Sequence, residues 1–136
     1  MTAAITRARA QEMLDELPLV KLLGFVLGEL GDGRCTLTAP FHEITLRPGG
    51  LVGGPVYMTL ADVAVWIALM TIVGPKAMAV TSELTTSFLR GAVREDVICE
   101  ARIAGIAGGL AHAHAECRNA AGTLLTRHMA TYVLPA

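Results

Sequence analysis

The chain has 136 residues, the size of a single domain with a full hydrophobic core. Apolar residues make up 53% of it and charged ones only 17%, so part of the surface is expected to be hidden in an oligomer. A net charge of −1 with no basic run excludes nucleic acid from the expected partners.

Residues 4–14 read as a short, partly polar helix, and Pro18 opens a second turn over 19–23 that Gly24 ends. A helical extension over residues 1–20 is therefore expected on a single domain covering 1–136. Arg7 and Arg9, then Glu12, Asp15 and Glu16, leave no room for the apolar core of a signal peptide, and a cytoplasmic location is expected. Strand-like runs at 25–30 and 34–39 flank Gly31-Asp32-Gly33, a hairpin signal. After a loop around residues 40–43 comes the turn Arg47-Pro48-Gly49-Gly50-Leu51-Val52-Gly53-Gly54-Pro55. It runs straight into an apolar stretch over 56–73, interrupted by one charge, Asp62. Pro55 suits the first turn of a helix and Gly74-Pro75 its end, so this stretch is the expected central helix. Its length also fits a membrane span, but an Asp at mid-bilayer costs roughly 2.5–3.5 kcal/mol on insertion scales. No Lys/Arg cluster flanks it before Lys76 either, so a buried core helix is expected and no membrane partner.

Everything after Pro75 reads as strand. In residues 78–90, Thr81, Glu83, Thr85 and Ser87 share one face by alternation. Residues 96–106 and 110–118 follow, the latter with His112, His114 and Glu116 opposite alanines. A turn at 119–122 precedes a last strand over 124–134. One apolar helix against an antiparallel meander of three or four strands is an α+β architecture and describes the hotdog fold. Cys35, Cys99 and Cys117 are odd in number and too widely spaced for a zinc motif, which points to reduced thiols.

A carboxylate inside an apolar helix needs a partner or a task, because charge leaves water at a cost. Its surroundings supply the task. The run Gly53-Gly54-Pro55-Val56-Tyr57-Met58-Thr59-Leu60-Ala61-Asp62-Val63-Ala64 resembles a family signature, His-Gly-Gly, six residues, then Asp. That signature belongs to the phenylacetate-pathway type of hotdog acyl-CoA thioesterases. Residues 80–91 and Gly122-Thr123-Leu124-Leu125 are similar to the strand after the family's helix and to the entry of its last strand. Gly53 stands where the family usually has histidine, Pro55 where it has the second glycine, and Arg47 where an asparagine is common. In the late hairpin, Gly108-Gly109-Leu110 replaces the family's Gly-Lys/Arg pair, which leaves coenzyme A and acyl carrier protein both open as the carrier.

The resemblance implies hydrolysis of an acyl-CoA or aryl-acyl-CoA thioester, with no cofactor expected. Such hydrolysis needs a base or nucleophile near the carbonyl carbon and donors for the developing oxyanion. Asp62 is the expected base or nucleophile, and Thr81 takes the place of the family's Ser or Thr that holds the attacking water. Gly54 is the expected oxyanion donor, because a helix leaves its first N–H groups free and Pro55 has none. Gly53, Arg47 and Arg90 are the expected substrate-binding residues, Arg47 being alternatively an ion partner for Asp62. Eight residues separate Gly54 from Asp62, about 12 Å along a helix at a rise of roughly 1.5 Å per residue. One carbonyl cannot touch both within a chain, whereas two antiparallel helices about a two-fold axis could bring them together. The expected unit is therefore a homodimer, extending to a dimer of dimers.

Other readings compete with this one. A non-catalytic acyl-thioester or fatty-acid binding module on the same fold is the alternative, and a hydratase fits less well because Gly53 holds the usual histidine place. His112, His114 and Glu116, with His128 from the neighbouring strand, have the chemistry of a zinc or iron site. Alternating polar residues normally mark the wet face of a half-buried strand, so no metal is expected.

Overall fold

The computed structural model describes residues 4–136, so residues 1–3 of the expected helical extension lie outside the described residues. Helix α1 (Arg7–Asp15) is capped by Thr6, whose hydroxyl accepts from the Arg9 N–H at 3.1 Å. Helix α2 (Pro18–Leu23) follows with proline in its first turn and Gly24 at its end. The anticipated hairpin joins β1 (Val26–Gly31) to β2 (Arg34–Ala39). Asp32 and Gly33 both have positive φ, 52° and 74°, as a two-residue turn matched to strand twist requires. A 3-10 turn at Glu43–Thr45 then leads into β3 (Leu46–Arg47) and β4 (Leu51–Val52). This small ladder stands where the sequence showed only a glycine turn; Arg47 pairs with Leu51 across it.

Helix α3 (Gly54–Val73) carries Pro55 in its first turn and stops at Gly74, whose φ is 84°. Leu60, Ala64, Ile67, Leu69 and Met70 are wholly inaccessible. Burying each of the larger ones contributes about 1.5–3 kcal/mol. It is the one helix among the described residues long and apolar enough to cross a bilayer, and 56% of its most apolar window is buried inside this chain.

Four strands complete the main sheet: β5 (Val80–Phe88), β6 (Val97–Ala107), β7 (Leu110–Arg118) and β8 (Leu124–Val133). The order is β1-β2-β6-β7-β8-β5, with every pair antiparallel. The meander expected from the sequence holds for β6, β7 and β8, while β5 pairs beyond β8 and forms an edge. Ala101, Ala113, Ala115 and Ala130 line the inner face, and their small side chains let the curved sheet close around α3. This is the hotdog arrangement, α+β, with one helix wrapped by a six-stranded sheet.

The β5 face assignment needs a correction. Thr81 pairs with Tyr132 but Glu83 pairs with Thr131, so Ser82 is an extra residue and the strand bulges there. The bulge turns Thr81 inward towards α3, whereas Glu83, Thr85 and Ser87 pair with Thr131, Met129 and Arg127 on the outer face of β8. The four do not share a face.

Candidate active site

Asp62 sits a little over two turns into α3 and is half-buried. Its Oδ1 accepts hydrogen bonds from the Tyr132 hydroxyl at 2.6 Å and the Thr81 hydroxyl at 2.8 Å. The Tyr132 hydroxyl also lies 3.0 Å from the Asp62 main-chain carbonyl. Among the described residues, no hydrogen bond reaches Oδ2. Burial, then the neighbouring carboxylate and the hydrogen bond to it, push the Tyr132 phenol well above its usual range, so it stays a donor. The bulge at Ser82 and the β8 register together place both hydroxyls over the helix. No ion pair joins Asp62 to Arg47 or Arg90 among the described residues, so within the chain its partners are hydroxyls. Asp62, Thr81 and Tyr132 open on a hollow of about 320 Å³.

The start of the helix faces a different cavity. Arg47, Gly54, Tyr57, Phe88, Leu89 and Arg90 line a space of about 410 Å³. Among the described residues, no hydrogen bond takes up the Gly54 N–H. Tyr57 holds this region together: its hydroxyl accepts from the Ala92 N–H at 2.9 Å, and its ring meets Phe88 edge-on at 6.1 Å. The end of β5 and Arg90 are thereby tied to the first turn of α3. Gly53 belongs to neither cavity; its N–H donates to the Thr45 carbonyl at 2.8 Å and it borders a third, apolar hollow.

The sequence-predicted residues therefore fall into two groups. Asp62 and Thr81 touch each other, and Gly54, Arg47 and Arg90 share a cavity elsewhere on the same helix. Within one chain the Asp62 carboxylate and the Gly54 N–H open on different cavities.

Tyr132 was missed by sequence reasoning. It lies 70 residues from Asp62, and only the register of β5 against β8 places it opposite Thr81. Its one sequence signal is a hydroxyl in the apolar phase of the last strand.

The histidines divide differently from the sequence expectation. His112, His114 and Glu116 do lie on the outer face, but Glu116 is ion-paired with Arg118 at 3.0 Å and Arg127 at 3.1 Å. Those arginines, the Arg118 hydrogen bond foremost, hold the Glu116 carboxyl below its usual range. His128 cannot complete that group, because it points inward and is 2% exposed. Its Nδ1 lies 2.8 Å from the Thr86 hydroxyl and its Nε2 2.7 Å from that of Thr126. Among the described residues, no three His, Cys, Asp or Glu side chains gather to hold a metal ion.

A hotdog fold with a carboxylate on its central helix and a free N–H at the helix start defines a class, and the chain belongs to it. The profile of the thioesterase superfamily matches residues 49–126, more than half of the sequence, so the chain is a member of that superfamily. Among individual relatives, a protein of Halobacterium salinarum provisionally named an esterase is 33% identical over 102 residues. The match covers 71% of this chain and 66% of that one, just under two thirds of its length. The E. coli PaaI protein from the phenylacetic acid degradation operon superposes with a TM-score of 0.86 at 19% identity, covering 95% of this chain and 92% of that one. A conserved protein of Pseudomonas aeruginosa gives 0.84 at 23% identity, over 93% and 99%. At such identities the likeness is one of fold.

Proposed function

We propose that this protein hydrolyses acyl thioesters, releasing a free acid and the carrier thiol, at sites built between two copies of the chain. The carrying observation is the Asp62 carboxylate, oriented by Tyr132 and Thr81 through Oδ1 with Oδ2 left open to the hollow. A water in that hollow would donate to Oδ2 and to the Thr81 oxygen. Asp62 takes a proton from it, and the oxygen attacks the thioester carbonyl carbon. The carbonyl oxygen becomes an oxyanion and accepts from the Gly54 N–H of the second copy, aided by the positive end of that helix. Collapse re-forms the carbonyl, breaks the C–S bond, and returns the proton from Asp62 to the leaving thiolate. The Thr81 hydroxyl beside the carboxylate favours this water route over direct attack by Asp62.

Arg47 and Arg90 at the Gly54 cavity fit an anionic carrier such as coenzyme A, whose phosphates they would meet. Three features support a second copy: the two half-sites on one helix, the apolar composition, and the open β5 edge. The test is Asp62→Asn assayed across a panel of acyl-CoA thioesters. Turnover should fall by about 10²–10⁴-fold while circular dichroism stays native; unchanged rates overturn the assignment. Gly53 in the place of the family's histidine favours the second reading, a binding module. Saturable acyl-CoA binding by the native protein with no acid released would establish that reading instead.

A further inference from the structure

The two cavities differ in the charge of their linings. The cavity at Gly54 carries two arginines, whereas the hollow at Asp62 has no charged side chain except Asp62 itself. Its remaining wall is apolar, with Leu17, Trp66, Ala79 and Val80 prominent. Trp66 lies four residues beyond Asp62, so it shares the carboxylate's face of α3 about 6 Å further along the axis. It is half-buried, and it is the only tryptophan in the chain. Leu17 reaches the hollow from the junction of α1 and α2, where its N–H donates to the Leu14 carbonyl at 3.1 Å and Pro18 fixes the turn. The helical extension thus supplies a wall to the same hollow that holds the base.

We propose that Trp66 and Leu17 set the length and shape of the acyl group that the hollow beside Asp62 admits. The inference rests on the thioesterase reading and adds to it a direction. The acyl group lies in the chain that supplies Asp62, and the carrier leaves past Gly54, Arg47 and Arg90 of the second copy. A tail reaching one helical turn from the carbonyl meets the indole face. Trp66 and Leu17 therefore limit how long and how broad an acyl group fits against the helix. A hydrophobic pocket discriminates by contact with each added carbon, which is worth about 10–200-fold per methylene or so in kcat/KM.

Trp66 reports on its own occupancy, which separates this inference from the catalytic one. Asp62→Asn protein is titrated with octanoyl-CoA, phenylacetyl-CoA and free coenzyme A while tryptophan emission is followed. Both thioesters should change the emission saturably and coenzyme A should not. In the native background, Trp66→Ala and Leu17→Ala should each move the octanoyl-to-butyryl ratio of kcat/KM by about tenfold towards the longer chain. Hydrolysis with silent Trp66 emission, or with that ratio unmoved in both folded variants, overturns this inference and leaves the thioesterase reading standing. A saturable emission change in native protein that hydrolyses none of these thioesters does the reverse.

Discussion

At Asp62 two hydroxyls converge on one carboxylate oxygen, and the pair is unequal. Thr81 lies on an exposed edge strand, while Tyr132 is 3% exposed and donates over the shorter distance. On the proposed reading, Tyr132 is the positioning residue that fixes the carboxylate rotamer and leaves Oδ2 free for the water. Tyr132→Phe removes one hydrogen bond to a charged group, worth about 1.5–3 kcal/mol. Turnover should fall by about one to two orders of magnitude with little change in KM; a change in KM alone would contradict the positioning role. The raised phenol pKa also has a stability consequence. Well below about pH 10, the ordinary phenol pKa, folded and unfolded chains both keep the proton and the stability is complete. Above it the unfolded chain releases the proton that folded Tyr132 retains, so stability is lost as pH rises. Urea midpoints measured from pH 8 to 11 should fall for the native protein and fall less steeply for Tyr132→Phe. Parallel slopes would show that Tyr132 is not the group responsible.

Among the elements, one buried hydroxyl hydrogen-bonds α3 to the β1–β2 hairpin. Thr71 accepts from the Gly33 N–H at 2.7 Å and donates to the Ala68 carbonyl at the same distance. Thr71→Val keeps the shape but leaves the Gly33 N–H without a partner, which should cost about 1–3 kcal/mol in chemical denaturation. A cost near zero would mean that the turn is held by packing against Ile72 alone. Much of this element layer was legible in the sequence. Pro55 and Gly74 bounded the helix, Asp32-Gly33 marked the hairpin, and alternating alanines marked the inner face of β7. The Ser82 bulge was not, because Thr81, Glu83 and Thr85 are all polar and one added residue leaves no trace in their alternation. The same limit hid Tyr132, whose partnership with Asp62 depends on the pairing of β5 with β8, which sets it opposite Thr81, 51 residues earlier in the chain. Asp62 and Gly54 were legible because local rules govern a charge in an apolar helix and a helix start. Their separation followed from the helical rise.

The whole molecule leaves β5 open at the edge of the sheet, with Val80 and Phe88 each 53% exposed. An edge with exposed apolar side chains invites pairing unless something covers it. On the proposed reading, a second copy of the chain covers that edge and brings its Gly54 to this chain's Asp62. A two-fold axis creates two such sites per dimer, each taking its base from one chain and its oxyanion donor from the other. Subunit complementation tests this most directly. Asp62→Asn removes the base, and Gly54→Pro removes the donor N–H at a helix position that tolerates proline. Each variant alone should be inactive with native circular dichroism. Unfolded together in equal amounts and refolded, they should regain about a quarter of native activity, since half the dimers are mixed and each mixed dimer has one intact site. Mixtures as inactive as either parent, despite demonstrated exchange of subunits, would contradict a site shared between chains.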